Sequence, residues 1–240
     1  MDFYSRISKQ YDEVFPLNNS QVSFIKSFSE KNKNEQSLLD IGCGTGSLAI
    51  SLCDYFAKIS AIDTNSQMIA SAKKKVGNKK ISFCKIGMLE IEKNFPENSF
   101  DIVSCFGNTL VHLQNMEEIE AFFRNTKFVL KKTGKFLFQL INYDYVFDSK
   151  LKSLPTIENE IIKFERFYSL DENNMLDFST ILFIKETEEI IKNNIKLFPA
   201  RRKQIIKALQ KAGFDTINSY SSFAKTEFNN KSLPLVFVCY

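Results

Sequence analysis

Leu38-Leu39-Asp40-Ile41-Gly42-Cys43-Gly44-Thr45-Gly46-Ser47 is the stretch that decides how this chain folds. Leu38 to Ile41 is a short apolar run of the kind presented by a strand covered on both faces. Glycines at alternate positions, Gly42, Gly44 and Gly46, permit a sharp turn and a close approach of backbone to ligand. From Ser47 the spacing becomes helical, with Leu48, Ala49, Leu52, Tyr55 and Phe56 on one side. A helix that opens beside such a turn offers unpaired N–H groups to a polar ligand.

The spacing narrows the ligand. A dinucleotide fingerprint has G-x-G-x-x-G, and here Ser47 stands where the third glycine would fall. The Lys-Ser/Thr ending of a phosphate-binding loop is also missing. Asp40 instead precedes the first glycine by two residues, so an acid sits beside free N–H groups. That combination suits a ligand carrying both an amino group and a carboxylate better than a pyrophosphate. The run resembles the first motif, (D/E)-x-G-x-G-x-G, of the class I S-adenosylmethionine-dependent methyltransferases.

A second strand pattern, Lys58 to Asp63, again ends in an acid and is followed by Thr64-Asn65-Ser66, good material for starting a helix. Read from the residues, Asp63 either accepts two ribose hydroxyls or caps the helix carrying Met68, Ile69, Ala72 and Val76. The resemblance favours the ribose role and implies a full cofactor set. Gly42, Cys43, Gly44 and Gly46 cradle the methionine part, Asp40 helps fix its amino group, and Asp63 with Thr64 meets the ribose. Met68, Gly87, Met88 and Leu89 surround the adenine, and Phe106, Gly107 and Asn108 lie at the end of the fourth strand. Relatives usually carry an acid after the glycine at the third strand's end; here Met88 follows Gly87, and Glu90 is near but out of register.

Strand and helix patterns alternate after residue 37. Ile81–Ile86 and Phe100–Phe106 read as the third and fourth strands. Ile119, Phe122, Phe123, Thr126 and Val129 mark a helix expected to stop at Gly134, and Lys135–Ile141 reads as the fifth strand. This rhythm predicts an α/β fold, a three-layer, doubly wound, mostly parallel sheet with ligands at the carboxyl ends of its strands. The resemblance makes it seven-stranded, ending in an antiparallel strand at Leu235–Cys239 after one near Ile217–Ser222. From 143 to 198 the rhythm breaks into three β-like runs, Ile161–Leu170, Met175–Ile184 and Glu189–Leu197, with a turn at Asp171–Asn174. The expected division is a helical N-terminal cap (1–36), a cofactor-binding core (37–142 and 199–240) and an antiparallel insertion (143–198). That insertion either shapes an acceptor pocket as a lid or merely extends the packing. In the cap, Tyr4, Ile7, Tyr11 and Phe15 share a helical face. By resemblance Tyr11 closes over the methionine end, though the stripe also suits core packing.

Composition sets outer limits. The 240 residues are 44% hydrophobic and 25% charged, with 24 Phe, no Trp and a net charge of +4, which suits a globular chain of one domain with an insertion. Lys73-Lys74-Lys75, Lys79-Lys80 and Lys131-Lys132 fall near expected helix ends and read as solvated termini, so no nucleic-acid partner is expected. Five cysteines scattered singly read mostly as buried thiols, and one histidine excludes a multi-His metal site. No apolar stretch approaches 18 residues, and a cytoplasmic location is expected.

Methyl transfer from a sulfonium needs alignment rather than a metal or a catalytic dyad. The run Phe106-Gly107-Asn108-Thr109-Leu110-Val111-His112-Leu113 lacks the (N/D)-P-P-(Y/F) signature of nucleobase and glutamine methylation. It is similar to the Gly-Asn-Ser-Leu-x-His-Leu segment of small-amine and sugar-amine N-methyltransferases. His112 either accepts a proton or is a structural hydrogen-bonder. Arg166 and Tyr168 alternate with their neighbours onto one face of the insertion and suit an acidic or hydroxylated acceptor if that face looks inward. The expectation is transfer from S-adenosyl-L-methionine to nitrogen or oxygen of a small molecule. The alternatives are an RNA or protein acceptor, a non-catalytic S-adenosylmethionine-binding module, and a nicotinamide-dependent dehydrogenase.

Overall fold

The computed structural model describes residues 3–29, 35–77, 79–170 and 175–240; the turn expected at Asp171–Asn174 lies outside them. Elements are numbered in chain order. Three short helices, α1 (Phe3–Arg6), α2 (Tyr11–Val14) and α3 (Asn19–Lys26), precede β1 (Ser37–Ile41). Then α4 (Ser47–Ser51), β2 (Lys58–Asp63), α5 (Ser66–Lys75), β3 (Ile81–Lys85), α6 (Ile91–Asn94) and β4 (Phe100–Cys105) alternate. The helix α7 (Met116–Val129) leads directly into β5 (Leu130–Ile141). After α8 (Tyr143–Asp148) come β6 (Ser153–Glu158), β7 (Ile162–Leu170), β8 (Leu176–Ile184) and β9 (Glu189–Leu197). The chain closes with α9 (Arg202–Lys211), β10 (Ile217–Tyr220) and β11 (Pro234–Cys239).

The main sheet has seven strands in the order β10-β11-β5-β4-β1-β2-β3, and β11 alone runs antiparallel to its neighbours. The order reverses between β1 and β4, so a cleft opens at the carboxyl ends of those two strands. Every residue of β1 is buried, as its uninterrupted apolar character requires of a central parallel strand. Ile119, Phe122, Phe123, Thr126 and Val129 of α7 are all buried, on the stripe that their spacing predicts. The phenylalanine-rich core includes Phe136 stacked on Phe138 (4.6 Å) and Phe138 on Phe237 (4.7 Å).

Four local expectations need correction. Gly134 does not stop α7: the helix ends at Val129 and Gly134 lies in a bulge of β5, where pairing with β4 shifts register. A Cβ there would come within 2.9 Å of the Phe100 and Lys131 carbonyl oxygens, so close backbone approach is what demands glycine. The insertion holds four antiparallel strands, β6-β7-β8-β9, not three, and is preceded by α8. Pro155 and the irregular β6 pairing explain why that strand carries no clear alternation in sequence. The cap is two short helices before α3, with Ile7 and Val14 buried and Phe15 36% exposed. Only Cys105 and Cys239 are buried; Cys43, Cys53 and Cys84 are half-buried, and all five are unpaired.

The insertion bridges two parts of the molecule. Ile162, Phe164, Leu182, Ile184 and Ile191 pack with Ile7 and Val14 of the cap and Met68 of α5. At the other end Leu154, Tyr168, Leu176 and Leu197 join the main core. Alternation along β7 puts Ile162, Phe164, Arg166 and Tyr168 on one face, as the sequence pattern predicts, and burial of Ile162, Phe164 and Tyr168 shows that face to be the inner one.

Candidate active site

The bend after β1 is stitched to the tip of β2: the Gly42 and Cys43 N–H groups both donate to the Ile62 carbonyl, at 2.8 and 3.0 Å. Gly42 (φ +70°) and Gly44 (φ +53°) are left-handed, a conformation that side chains resist. A Cβ on Gly42 would lie 2.6 Å from Thr109, and one on Gly44 would lie 2.9 Å from the Tyr11 ring. Gly46 opens α4 and packs on Phe83, so it shapes the bend from behind rather than facing the cavity.

Asp63 at the β2 tip accepts from the Gly44 N–H (3.0 Å) and the Asn65 N–H (2.8 Å), which aims its carboxylate along the bend. The side chain that caps α5 is Asn65, accepting from Gln67 and Met68 N–H, so helix capping does not account for Asp63. Asp40 is 3% exposed; Ser104 Oγ donates to its Oδ1 at 2.9 Å, while Oδ2 is buried without a partner. Burial, with a smaller contribution from Asp63, pushes the Asp40 carboxyl up to about 7.

These groups face two adjoining hollows. A cavity of about 540 Å³ is lined by Tyr11, Gly42, Gly44, Asp63, Thr64, Met68, Gly87, Met88, Leu89, Phe106, Gly107 and His112, all drawn together from the expected set. A neighbouring recess of about 630 Å³ shares Tyr11, Gly42, Phe106 and Gly107 and adds Asp40 and Cys43. Besides Gly46, three expected residues stand elsewhere. The Asn108 side chain accepts from the Ile141 N–H (2.9 Å) and donates to Tyr143 Oη (3.2 Å), tying the β4 and β5 ends together. Arg166 and Tyr168 line neither hollow; they lie on the inner face of the insertion.

Sequence reasoning missed Tyr4, Glu90 and Glu118, all of which line the cavity. Glu90 sits on a 3₁₀ turn after Gly87, and its carboxylate accepts the Gly87 N–H at 2.9 Å. The turn brings the acid back beside Met88, although linear register places it two residues late. A Gly-x-x-Glu spacing was the available signal. Tyr4 Oη lies 3.1 Å from His112 Nε2, with the rings edge to face. Burial lowers the His112 pKa, so its imidazole is neutral at pH 7.

Asp12 carries a latch. Its carboxylate accepts from Thr45 Oγ1 (2.6 Å), Ser47 Oγ (3.0 Å) and Lys75 Nζ (2.7 Å), joining the cap to the glycine bend and to α5. Burial opposes its ionisation, but these three donors outweigh burial and hold the carboxyl below its usual range.

A seven-stranded doubly wound sheet with a glycine bend between two strand-tip aspartates defines a Rossmann-like enzyme that takes an adenosyl cofactor. The residues fit that group: the unpartnered Asp40 Oδ2 offers a cation site, and bare backbone at Gly42 and Gly44 leaves room that a Cβ would fill. Among the described residues no group of three His, Cys, Asp or Glu could hold a metal ion, and no helix is long and apolar enough to cross a membrane.

Comparison with known proteins agrees. Residues 38–134 match the family described as "Methyltransferase domain". The chain is 28% identical over 195 residues to malonyl-[acyl-carrier protein] O-methyltransferase 2 of Ilyobacter polytropus, covering 79% of this chain and 72% of that protein. It is 25% identical over 207 residues to a glycine/sarcosine N-methyltransferase of Aphanothece halophytica, covering 85% and 74%. Among solved structures, an S-adenosylmethionine-dependent methyltransferase of Clostridium acetobutylicum superposes with a TM-score of 0.83 at 16% identity, covering 98% of both chains. The CcbJ methyltransferase of Streptomyces caelestis gives 0.82 at 18% identity, covering 99% and 97%. Residues 38–134 are thus a methyltransferase domain, and the matches together support a class I S-adenosylmethionine-dependent methyltransferase.

Proposed function

We propose that this enzyme is cytosolic and methylates a small molecule, and that the accepting atom is a nitrogen. The observation that carries this reading is the charge of the site. Asp63, Glu90 and Glu118 line the cavity and Asp12 and Asp40 the recess, while no Lys or Arg lines either, although the chain as a whole is net positive. Asp12 is neutralised by Lys75 and Asp40 suits the cofactor's ammonium; the surplus acid favours an acceptor that arrives as a protonated amine. A carboxylate acceptor meets the wrong sign of charge there. Five unpaired cysteines suit a reducing compartment.

When bound, the cofactor supplies an electrophilic methyl group on a positively charged sulfur, open to in-line displacement. The residues supply the rest. Gly42 and Gly44 present backbone, Asp40 and Asp63 anchor the two polar ends, and the half-buried Tyr11 and buried Phe106 rings exclude water from the reaction centre. An amine attacks only when neutral; in this reading the Tyr4 hydroxyl takes the amine proton while passing its own to the neutral His112 Nε2 that it meets at 3.1 Å, both residues lining the cavity.

The test is incubation with methyl-labelled S-adenosylmethionine and a metabolite extract fractionated into amines, hydroxyl compounds and carboxylic acids. Mass spectrometry then looks for products one methylene heavier. A product whose fragments place the added methylene on nitrogen supports the reading. A product whose fragments place the added methylene on oxygen overturns the choice of nitrogen, whichever fraction holds it. Cofactor binding with no product in any fraction overturns catalysis in favour of a binding module.

A further inference from the structure

The inner face of the insertion is apolar at both ends and polar in the middle. Phe164, Leu182 and Ile191 form one cross-strand row, and Tyr168, Phe178 and Ile195 another. Between them Arg166, Thr180 and Asn193 stand directly opposite one another on β7, β8 and β9. Arg166 Nε, Thr180 Oγ1 and Asn193 Nδ2 are each sealed from solvent without a hydrogen-bond partner, and in the next row the buried Tyr168 Oη meets only the Tyr143 hydroxyl, which leaves its own O–H free to donate. Thr180 is 1% exposed and Tyr168 6%. Arg166 gives one N–H to the Pro155 carbonyl and lies over the Phe164 ring, and no carboxylate pairs with it among the described residues.

Each orphaned group costs about 1–3 kcal/mol, a cost that an apolar residue at the same position avoids. All four groups are able to donate. A ligand that satisfies them therefore brings several acceptor oxygens and negative charge to meet the guanidinium. The apolar row next to it reaches the site: Phe164 packs edge-on against Phe15 (5.9 Å between centroids), and Phe15 lines the second recess.

We propose that Arg166, Thr180, Asn193 and Tyr168 form an oxyanion-binding site that receives a carboxylate or phosphate group of the methyl acceptor. The acceptor then carries an amine at one end and an anionic oxygen group at the other. The proposal deepens the small-molecule reading above and rests on it only for which molecule bears the anion. Entry requires the insertion to part from Ile7 and Val14, which close over the neighbouring apolar row in this structure.

The test does not depend on methyl transfer. Wild type, Arg166→Gln and Thr180→Val are melted in rising sodium phosphate or sodium acetate, with ionic strength held constant by sodium chloride. S-adenosylhomocysteine affinity is measured alongside by calorimetry. Wild type is expected to show a saturable rise in Tm above the chloride baseline. In Arg166→Gln the half-saturating concentration rises by at least about tenfold, the worth of one charge-assisted hydrogen bond. Thr180→Val removes an orphaned hydroxyl at nearly constant shape, so it keeps or raises Tm in chloride while losing anion response, a split that a merely structural threonine would not give. A response to acetate identifies a carboxylate and a response to phosphate alone a phosphate; both support the site. No saturable rise in wild type, or a rise that both variants retain, overturns it. If S-adenosylhomocysteine still binds in that case, the methyltransferase reading stands without the oxyanion site.

Discussion

Asp40→Asn removes one charge while keeping an oxygen for Ser104, and it isolates what the buried carboxylate contributes. In the cofactor-free protein Asp40 is protonated below about pH 7, because burial between β2 and β4 and the nearby Asp63 both disfavour its charge. Binding an ammonium against Oδ2 favours the ionised form, so below that pH the cofactor must displace a proton. With a pKa near 7, about half of Asp40 is ionised at pH 7 and about one part in a hundred at pH 5, so affinity for S-adenosylhomocysteine rises roughly fiftyfold across that interval. The Asn variant removes this slope and binds about 10- to 150-fold more weakly at pH 7.5, one charge-assisted hydrogen bond. Stability of the cofactor-free protein moves oppositely. Its folded pKa is raised above the unfolded value of about 3.9, so wild type loses stability as pH climbs from 4 to 7, by on the order of 4 kcal/mol in total; the Asn variant lacks this loss. Calorimetry in two buffers of different ionisation enthalpy counts the proton directly. Uptake or release of none at pH 6, with affinity flat from pH 5 to 7, would refute the assignment of Asp40 to the cation.

Two further outcomes follow from the geometry around the bend. Gly44→Ala places a Cβ against the Tyr11 ring at a positive φ, and it is expected to cost about 1–3 kcal/mol in denaturant unfolding and to abolish measurable cofactor binding by calorimetry; a variant with wild-type affinity contradicts the cradle. Asp12→Asn breaks the ion pair with Lys75, costing about 1 kcal/mol or less because both side chains are partly exposed, yet amides of residues 3–14 are expected to exchange faster. Since the Asp12 pKa lies below its unfolded value, the latch is fully made above about pH 4 and is lost as pH falls through the folded pKa.

The parts of the fold visible in sequence are those fixed by local geometry. A strand tip that must turn through left-handed backbone demands Gly42 and Gly44, and the alternation of buried strand with one-sided helix names a parallel sheet. Gly134 was misread because a helix stop and a close backbone crossing ask for the same residue, and only the neighbour at Phe100 distinguishes them. β6 escaped because a proline and a register shift erase its period of two.

By itself the sequence determined the glycine bend and the two aspartates at adjacent strand tips, and through them the resemblance that implies the cofactor, because all lie within one βαβ unit. The tertiary structure alone decided what surrounds that cofactor. Tyr4 reaches His112 across 108 positions, the turn after Gly87 swings Glu90 into the cavity, and three strands align Arg166, Thr180 and Asn193. No periodicity encodes such meetings, since they arise from long-range packing, where a side chain's neighbours are set by the whole fold.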